Sequence, residues 1–218
     1  MRTRSISEWA AILRTVGAAS APGGEALRSL FDRCVERQLD ESWFIAWRVM
    51  GSLPAGSFDP SCLPVRGVQG LVWKACIDGS VDALAEVDRV SRAAGSRGAA
   101  DAGALLPQGL HRAIEVWTET ELACMHGLWR AGVAHARDPW RERALEVARW
   151  HVANLQPDNA TNRPWAVCLF ATLAASENNA DAGLYAETLL HNCQVQNGKP
   201  DALSALILLD GAEALESL

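Results

Sequence analysis

The sequence lacks the short motifs that mark most nucleotide enzymes, hydrolases and metal sites. It contains no GxxxxGK[ST], no GxGxxG opening a helix, no GxSxG and no HExxH, which disfavours nucleotide enzymes, α/β-hydrolases and zincins. Its six cysteines include no CxxC pair, so neither a disulfide framework nor metal-finger spacing is indicated. The longest apolar stretch, 165–175, is too short to cross a bilayer. No apolar signal-peptide core follows Met1. We therefore expect a soluble, cytoplasmic protein without a metal or cofactor.

Basic charge and two of the three aromatic residue types are also scarce. The 218 residues carry a formal net charge of −6 and the sequence pI is about 5.4. This balance argues against nucleic acid or an anionic membrane as the main partner, because both require clustered Lys and Arg. One Tyr and four Phe stand against nine Trp. Tryptophan serves equally well in a core or as a flat platform for a ligand.

Alternation of apolar and polar residues, the pattern of a β-strand, is nearly missing, whereas helical periodicity recurs. One stripe contains Leu122, Met125, Trp129 and Val133. We predict about ten helices in a single all-α domain spanning 1–218, with a flexible Ala- and Gly-rich loop at 93–109. At two helix starts, Ser5-x-x-Glu8 and Thr118-x-x-Glu121 match the capping box, in which each side chain satisfies a free backbone N–H.

An internal repeat organises these helices. His111, His151 and His191 are spaced 40 residues apart, and the strings 151–156 and 191–196 are alike. Each string leads into a polar turn with an aspartate, Asp158 or Asp201, and then into an apolar helix. The repeating unit is an amphipathic helix, a polar turn and a helix apolar on all sides, which must be buried. Such αα-hairpins stack into a solenoid or close into a ring.

The outer helix, the Gln-x-Asp turn and the tryptophan at the start of the inner helix resemble the α/α-toroid proteins. That group includes terpenoid cyclases, protein prenyltransferases and, more loosely, six-hairpin glycosidases. The resemblance implies stacked αα-hairpins in an incomplete α/α toroid, with an open α-solenoid as the alternative. The Asp-rich motif of the cyclases and the zinc ligands of the prenyltransferases are not evident, so neither activity is carried over. The string 155–166 is also similar to strings in bacterial helical proteins without an assigned activity.

If the hairpins stack in parallel, every turn from an outer to an inner helix lies on the same rim. That rim would gather Asp40, Glu41, Glu119, Glu121, Asp158, Asn159, Asn162, Arg163 and Asp201. Facing carboxylates are what glycoside hydrolysis needs, one as the acid and one as the base or nucleophile. The catalytic candidates are Asp158, Glu119 and Glu121. The predicted ligand-binding set is Asp158, Asn159, Asn162, Arg163, Trp165, Trp117 and Trp43.

The same acids and amides precede helices, where capping alone favours such residues. His111 and Glu115 share a helix face, but no third ligand is in view and we predict no metal site. His126 lies on the apolar side of its helix, as a hydrogen-bonded core residue would. Two hypotheses follow. The chain is either a binding or scaffold module for a peptide or partner subunit, or a carbohydrate-active or other small-molecule enzyme with an acidic, Trp-lined mouth.

Overall fold

The computed structural model describes residues 4–54, 58–63, 65, 67–79, 81–94, 103–107, 113–155 and 161–218. Most of the predicted loop 93–109 lies outside these ranges, and so do His111, Asp158 and Asn159. The described chain forms ten α-helices and no β-strand, which confirms the all-α prediction. The helices are α1 (Ile6–Ala18), α2 (Gly24–Glu36), α3 (Ser42–Met50), α4 (Gly67–Asp78), α5 (Val81–Ala94), α6 (Ile114–Ala134), α7 (Asp138–Asn154), α8 (Val167–Ser176), α9 (Ala180–Val195) and α10 (Ala202–Glu216).

Amphipathic helices alternate with nearly wholly buried ones along the C-terminal half of the chain. In α7 the buried residues form a single stripe, whereas in α8 every side chain from Val167 to Ala174 is buried. Most of α10 is buried as well. A helix buried on all sides, such as α8, is covered by amphipathic neighbours.

Helices that follow one another in the chain pack in pairs: α2 on α3, α4 on α5, α6 on α7 and α8 on α9. Further contacts join α3 to α4, α4 to α6, α6 to α8 and α8 to α10, and α1 packs along α10. The approach of α1 to α10 is close, because a Cβ placed on Gly17 would lie 2.9 Å from the carbonyl oxygen of Ala205. A larger residue at position 17 would therefore force these two helices apart.

An aromatic cluster fills the space where α3, α4, α6 and the start of α8 meet. Phe44 lies edge-on to Trp165 and Trp73, with ring centroids 4.9 Å and 5.1 Å apart. His126 lies edge-on to Trp165 at 5.6 Å. All four rings are buried, so their packing contributes to the stability of the fold.

The two predicted capping boxes have different outcomes. Ser5 and Glu8 form the reciprocal box at the start of α1, which confirms that prediction. The box at Thr118 and Glu121 is wrong, because α6 begins a turn earlier, at Ile114, and both residues lie buried within the helix. The earlier start of α6 changes what the carboxylate of Glu121 contacts.

Candidate functional site

The turn before α3 and the first half of α6 enclose a cleft of about 510 Å³, here called the acidic cleft. Gln69 of α4 and Trp165, just before α8, complete its wall. The residues that line it are Gln38, Leu39, Asp40, Glu41, Gln69, Glu115, Val116, Glu119, Thr120, Ala123 and Trp165. The structure thus brings together three of the acids predicted for the rim, Asp40, Glu41 and Glu119.

Four carboxylates line the acidic cleft, and no Lys or Arg is among its described lining residues. Asp40 is exposed, whereas Glu41, Glu115 and Glu119 are partly buried. Carboxylates gathered in one concave surface produce a negative potential that is stronger than that of the same charges on a flat surface. The cleft therefore favours a cation over an anion or a neutral solute.

Gln69 gives the wall of the cleft a side-chain amide. The residue as a whole is only 8% exposed, and it lines the cleft. An amide can both donate and accept hydrogen bonds. Gln69 therefore offers an occupant of the cleft a neutral polar contact beside the carboxylates.

Glu119 is held at the boundary between the cleft and the polar turn before α8. Burial raises the pKa of the Glu119 carboxyl, and the negative charges of Glu41 and Asp201 add to that rise. The positive charge of Arg163 and a hydrogen bond from the backbone N–H of Asn162 oppose the rise without cancelling it. A positive charge that arrives in the cleft would lower the pKa of Glu119 and favour its ionised form.

The two predicted ligand residues Asn162 and Arg163 lie beside Glu119 and face the next turn. Arg163 forms an ion pair with Asp201. Asp201 caps α10 by accepting the N–H of Ser204 at 2.8 Å. Burial would raise the pKa of Asp201, but the Ser204 N–H and the Arg163 charge outweigh it and lower that pKa. For Asp201 the capping interpretation is therefore sufficient.

The structure separates the three tryptophans of the predicted binding set. Trp165 borders the acidic cleft but is only 1% exposed, so it offers the cleft very little of its surface. Trp43 is buried beside α4, where its Nε1 lies 3.4 Å from the position of a Cβ on Gly70. Trp117 is buried on the other side of α6 and stacks on His151. Only Trp165 of the three is placed to touch an occupant of the acidic cleft.

Glu121 lies on a different face of α6 from Glu119, and both of its carboxylate oxygens are engaged. Oε1 accepts the backbone N–H of Leu105 at 2.5 Å and Oε2 accepts that of Leu106 at 2.8 Å. The imidazole Nε2 of His151 lies 3.9 Å from Oε1. Glu121 is fully buried, and it holds segment 103–107 against α6 and α7.

The most elaborate polar cluster is one that the sequence analysis missed, and it centres on Asp210 of α10. This fully buried carboxylate accepts hydrogen bonds from Trp47 Nε1 at 3.4 Å and Arg48 Nη1 at 3.1 Å. His126 Nε2 lies 2.9 Å from it, and Arg130 Nε forms an ion pair with it at 3.1 Å. A lone acid inside the otherwise apolar run 202–212 is the signal that would have pointed to it, since such a charge must be paired.

His126 is a hydrogen-bonded core residue, as predicted from its side of the helix. The backbone N–H of Ala166 donates to its Nδ1 at 3.1 Å, so the proton of the neutral ring is on Nε2 and is donated to Asp210. Ala166 reaches this position with a φ of 58°, in the left-handed region. Both ring nitrogens are occupied, which leaves His126 no atom for acid–base chemistry on a ligand.

Five of the six cysteines are buried and all six are free. Burial raises the pKa of Cys168 and Cys193 to about 12, which keeps both thiols protonated and unreactive. Among the described residues, no group of three His, Cys, Asp or Glu side chains is arranged to hold a metal ion. In the same part of the chain, no helix combines the length and apolarity needed to cross a membrane.

Comparisons of the chain with protein-family models, with curated proteins and with solved structures found no match.

Proposed function

We propose that the chain is a binding module whose acidic cleft holds a basic side chain of a peptide or partner protein. The observation that carries this proposal is the lining of the cleft, which has four carboxylates and no described basic residue. A Lys or Arg side chain supplies what these groups lack, namely positive charge and several hydrogen-bond donors.

Apolar residues at the entrance support a peptide rather than a small inorganic cation. Leu39 is 40% exposed and Val116 is 55% exposed, and both line the acidic cleft. The methylene stem of Lys or Arg packs on such residues while its charged end reaches the carboxylates. A bare metal ion would make no use of them. The net charge of −6 likewise favours a basic partner and disfavours nucleic acid.

A blocked peptide of alternating Leu and Lys should bind the protein, and its affinity should fall as salt rises, because the attraction is electrostatic. Replacing Glu119 by Gln removes one cleft charge and should weaken binding by about three- to tenfold, the range of one charged contact. Binding should strengthen as pH rises through the raised pKa of Glu119, since ionisation completes the negative cleft. Isothermal titration calorimetry measures all three effects.

Glu142→Gln is the matched control, because Glu142 is exposed on α7 and does not line the cleft. This control variant should bind the Leu–Lys peptide as the unsubstituted protein does. Equal losses in Glu119→Gln and Glu142→Gln would show that only overall charge matters. That result, or no binding at low salt, would reject the acidic cleft as the site.

The pKa of Glu119 favours a second candidate function, a carbohydrate-active enzyme acting at the same cleft. A carboxyl with a raised pKa next to the carboxylate of Glu41 resembles the acid and base pair of glycoside hydrolysis. This candidate predicts slow release of nitrophenol from nitrophenyl glycosides, abolished by Glu119→Gln and unaffected by Glu142→Gln. Absence of turnover with a panel of such glycosides would leave the binding module as the better assignment.

We infer that the hairpins form a shortened ring of the α/α-toroid kind, and helix contacts support this. The inner helices α3, α4, α6, α8 and α10 contact one another in that order. The hydrogen bonds from Trp47 and Arg48 to Asp210 join α10 back to α3. Each remaining helix packs on at least one of these five helices. Loss of the Asp210 contacts should therefore loosen α3 from α10.

A further inference from the structure

A second cleft, of about 430 Å³, lies at the C-terminal end of α3, whereas the acidic cleft lies at its N-terminal end. We call it the arginine cleft. Its lining residues are Trp47, Arg48, Met50, Gly51, Ser52, Arg130 and Glu213. It combines two guanidinium groups with the apolar surfaces of Trp47 and Met50, the latter 43% exposed. Neither hypothesis drawn from the sequence includes these residues.

Arg48 already holds a carboxylate in this cleft by a two-pronged contact. Its Nη1 donates to Oε2 of Glu213 at 2.8 Å, and its Nη2 donates to Oε1 of the same carboxylate at 3.2 Å. Parallel bonds of this kind are the geometry by which arginine recognises carboxylates. Behind them, the fully buried Asp210 accepts from Arg48 and fixes the guanidinium in place.

Arg130 is much less satisfied than Arg48. Its side chain is only 12% exposed, yet its Nη2 lies 4.0 Å from the nearest oxygen of Glu213. Its Nε is within 3.1 Å of Asp210, but the angle is not that of a hydrogen bond. Its guanidinium donates no hydrogen bond to another described residue, and it lies over the ring of Trp47 at 5.9 Å. Its Nε is buried without a hydrogen-bond partner, and Arg130 lines the cleft, where its Nη groups can donate to an additional acceptor.

The two acids that pair with these arginines differ in how easily another carboxylate could replace them. Asp210 is fully buried and accepts hydrogen bonds from side chains of two helices, α3 and α6, so a solute cannot replace it. The Glu213 side chain is 40% exposed near the end of α10, whereas the Arg48 side chain that it contacts is 17% exposed. Glu213 is therefore the acid of the two that a solute can reach, and a competing carboxylate would replace both of its bonds to Arg48. Its carboxylate marks the position that another carboxylate would take.

We propose that the arginine cleft is a binding site for a carboxylate with a planar apolar body, and that Glu213 occupies it as a displaceable internal ligand. The incoming carboxylate replaces Glu213 on Arg48 and also accepts from the idle Nη groups of Arg130. Its apolar body lies against Trp47 and Met50. The arginine cleft and the acidic cleft share no lining residue. Either binding proposal can therefore be rejected without rejecting the other.

Benzoate is the probe, and Glu213→Gln is the informative variant because it removes the competing carboxylate and keeps its shape. Benzoate should bind Glu213→Gln at least about tenfold more tightly than the unsubstituted protein, as expected when a charged competitor is removed. Glu177→Gln is the matched control, since Glu177 is a partly exposed acid that accepts two bonds from one arginine, Arg149. Its benzoate affinity should equal that of the unsubstituted protein. Ligand-observed NMR measures the benzoate affinity of the unsubstituted protein and of both variants.

A second arm tests the role of Arg130. In the Glu213→Gln background, Arg130→Lys keeps the charge but loses the planar donors, and benzoate affinity should fall by about tenfold. Equal benzoate affinity in Glu213→Gln and Glu177→Gln overturns the proposal, whatever the folding of the Lys variant. Inorganic phosphate binding Glu213→Gln as tightly as benzoate also overturns it, because the apolar body would then contribute nothing.

Discussion

Replacing Asp210 by Asn is expected to lower the free energy of unfolding by about 3–5 kcal/mol, the usual cost of breaking a buried ion pair by removing one partner. The substitution leaves Arg48 and Arg130 without the buried negative charge that both contact. An Asn amide also turns one acceptor into a donor, which then faces either His126 Nε2 or an arginine. Urea unfolding followed by circular dichroism measures the loss.

The contribution of Asp210 to the free energy of unfolding should decrease at low pH. The side chains of His126, Arg130 and Arg48 outweigh burial and lower the pKa of Asp210 to about 2, from an ordinary value of 3.8. A lowered pKa stabilises the fold above the ordinary value, and this contribution is lost as pH falls through the folded value. It amounts to on the order of 2 kcal/mol. The difference between Asp210→Asn and the unsubstituted protein should therefore shrink between pH 4 and pH 2.

Asp32→Asn is the control, because Asp32 is exposed and its pair with Arg28 spans one turn of α2. That control should change stability by less than about 0.5 kcal/mol. If α3 is joined to α10 through Asp210, amide exchange in α3 should also accelerate in Asp210→Asn. A stability loss no larger than that of Asp32→Asn would contradict the assignment of Asp210 as the centre of the buried cluster.

Much of the fold was predictable because it depends on local periodicity. The apolar run that becomes α8 has no polar face, and burial on all sides follows from that alone. The Asp210 cluster was not predictable in the same way, because its members come from α3, α6 and α10. No local pattern reports which distant arginine will meet a given acid. Periodicity predicts the face of a helix, whereas tertiary packing decides the partner.

The acidic cleft was predictable in part, for a geometric reason. Asp40 and Glu41 precede α3, and Glu119 lies near the start of α6, so the hairpin arrangement brings them to one opening. The tryptophans were harder to assign, because indole suits a core and a binding surface equally. Trp43 and Trp117 are 3% exposed and belong to the core. The excess of tryptophan in this sequence is therefore mainly a feature of packing.

The position at which α6 begins decides which groups Glu121 contacts. Had α6 begun at Thr118, Glu121 would have reached back to a helix N-terminus. Because α6 begins at Ile114, its carboxylate is carried into the interior, where it accepts the N–H groups of Leu105 and Leu106. The same segment is also held by Arg143 Nη2, which donates to the carbonyls of Gly103 and Ala104. Trp117 Nε1 donates to the carbonyl of Leu106, and the side chain of Leu105 is buried in the core.

Glu121→Ala should consequently lower the free energy of unfolding by about 3 kcal/mol or more, because two buried N–H groups lose a charged acceptor. Glu121→Gln keeps one acceptor oxygen and should lose about half as much. Hydrogen exchange at Leu105 and Leu106 should accelerate in both variants before the rest of α6 is affected. Denaturant unfolding and exchange measured by NMR provide the two readouts.

The Glu121 variants also separate a structural role from a catalytic one. Since Glu121 faces segment 103–107 and does not line the acidic cleft, the folded fraction of Glu121→Gln should bind the Leu–Lys peptide with unchanged affinity. Glu119→Gln should show the reverse pattern, with weakened binding and a stability change of only a few tenths of a kcal/mol. A Glu121→Gln protein of full stability that no longer bound or turned over a ligand would instead make Glu121 a functional carboxylate. Glu119 and Glu121 are two residues apart on α6, so their side chains point in different directions. Glu119 therefore lines the acidic cleft, whereas Glu121 is buried in the core.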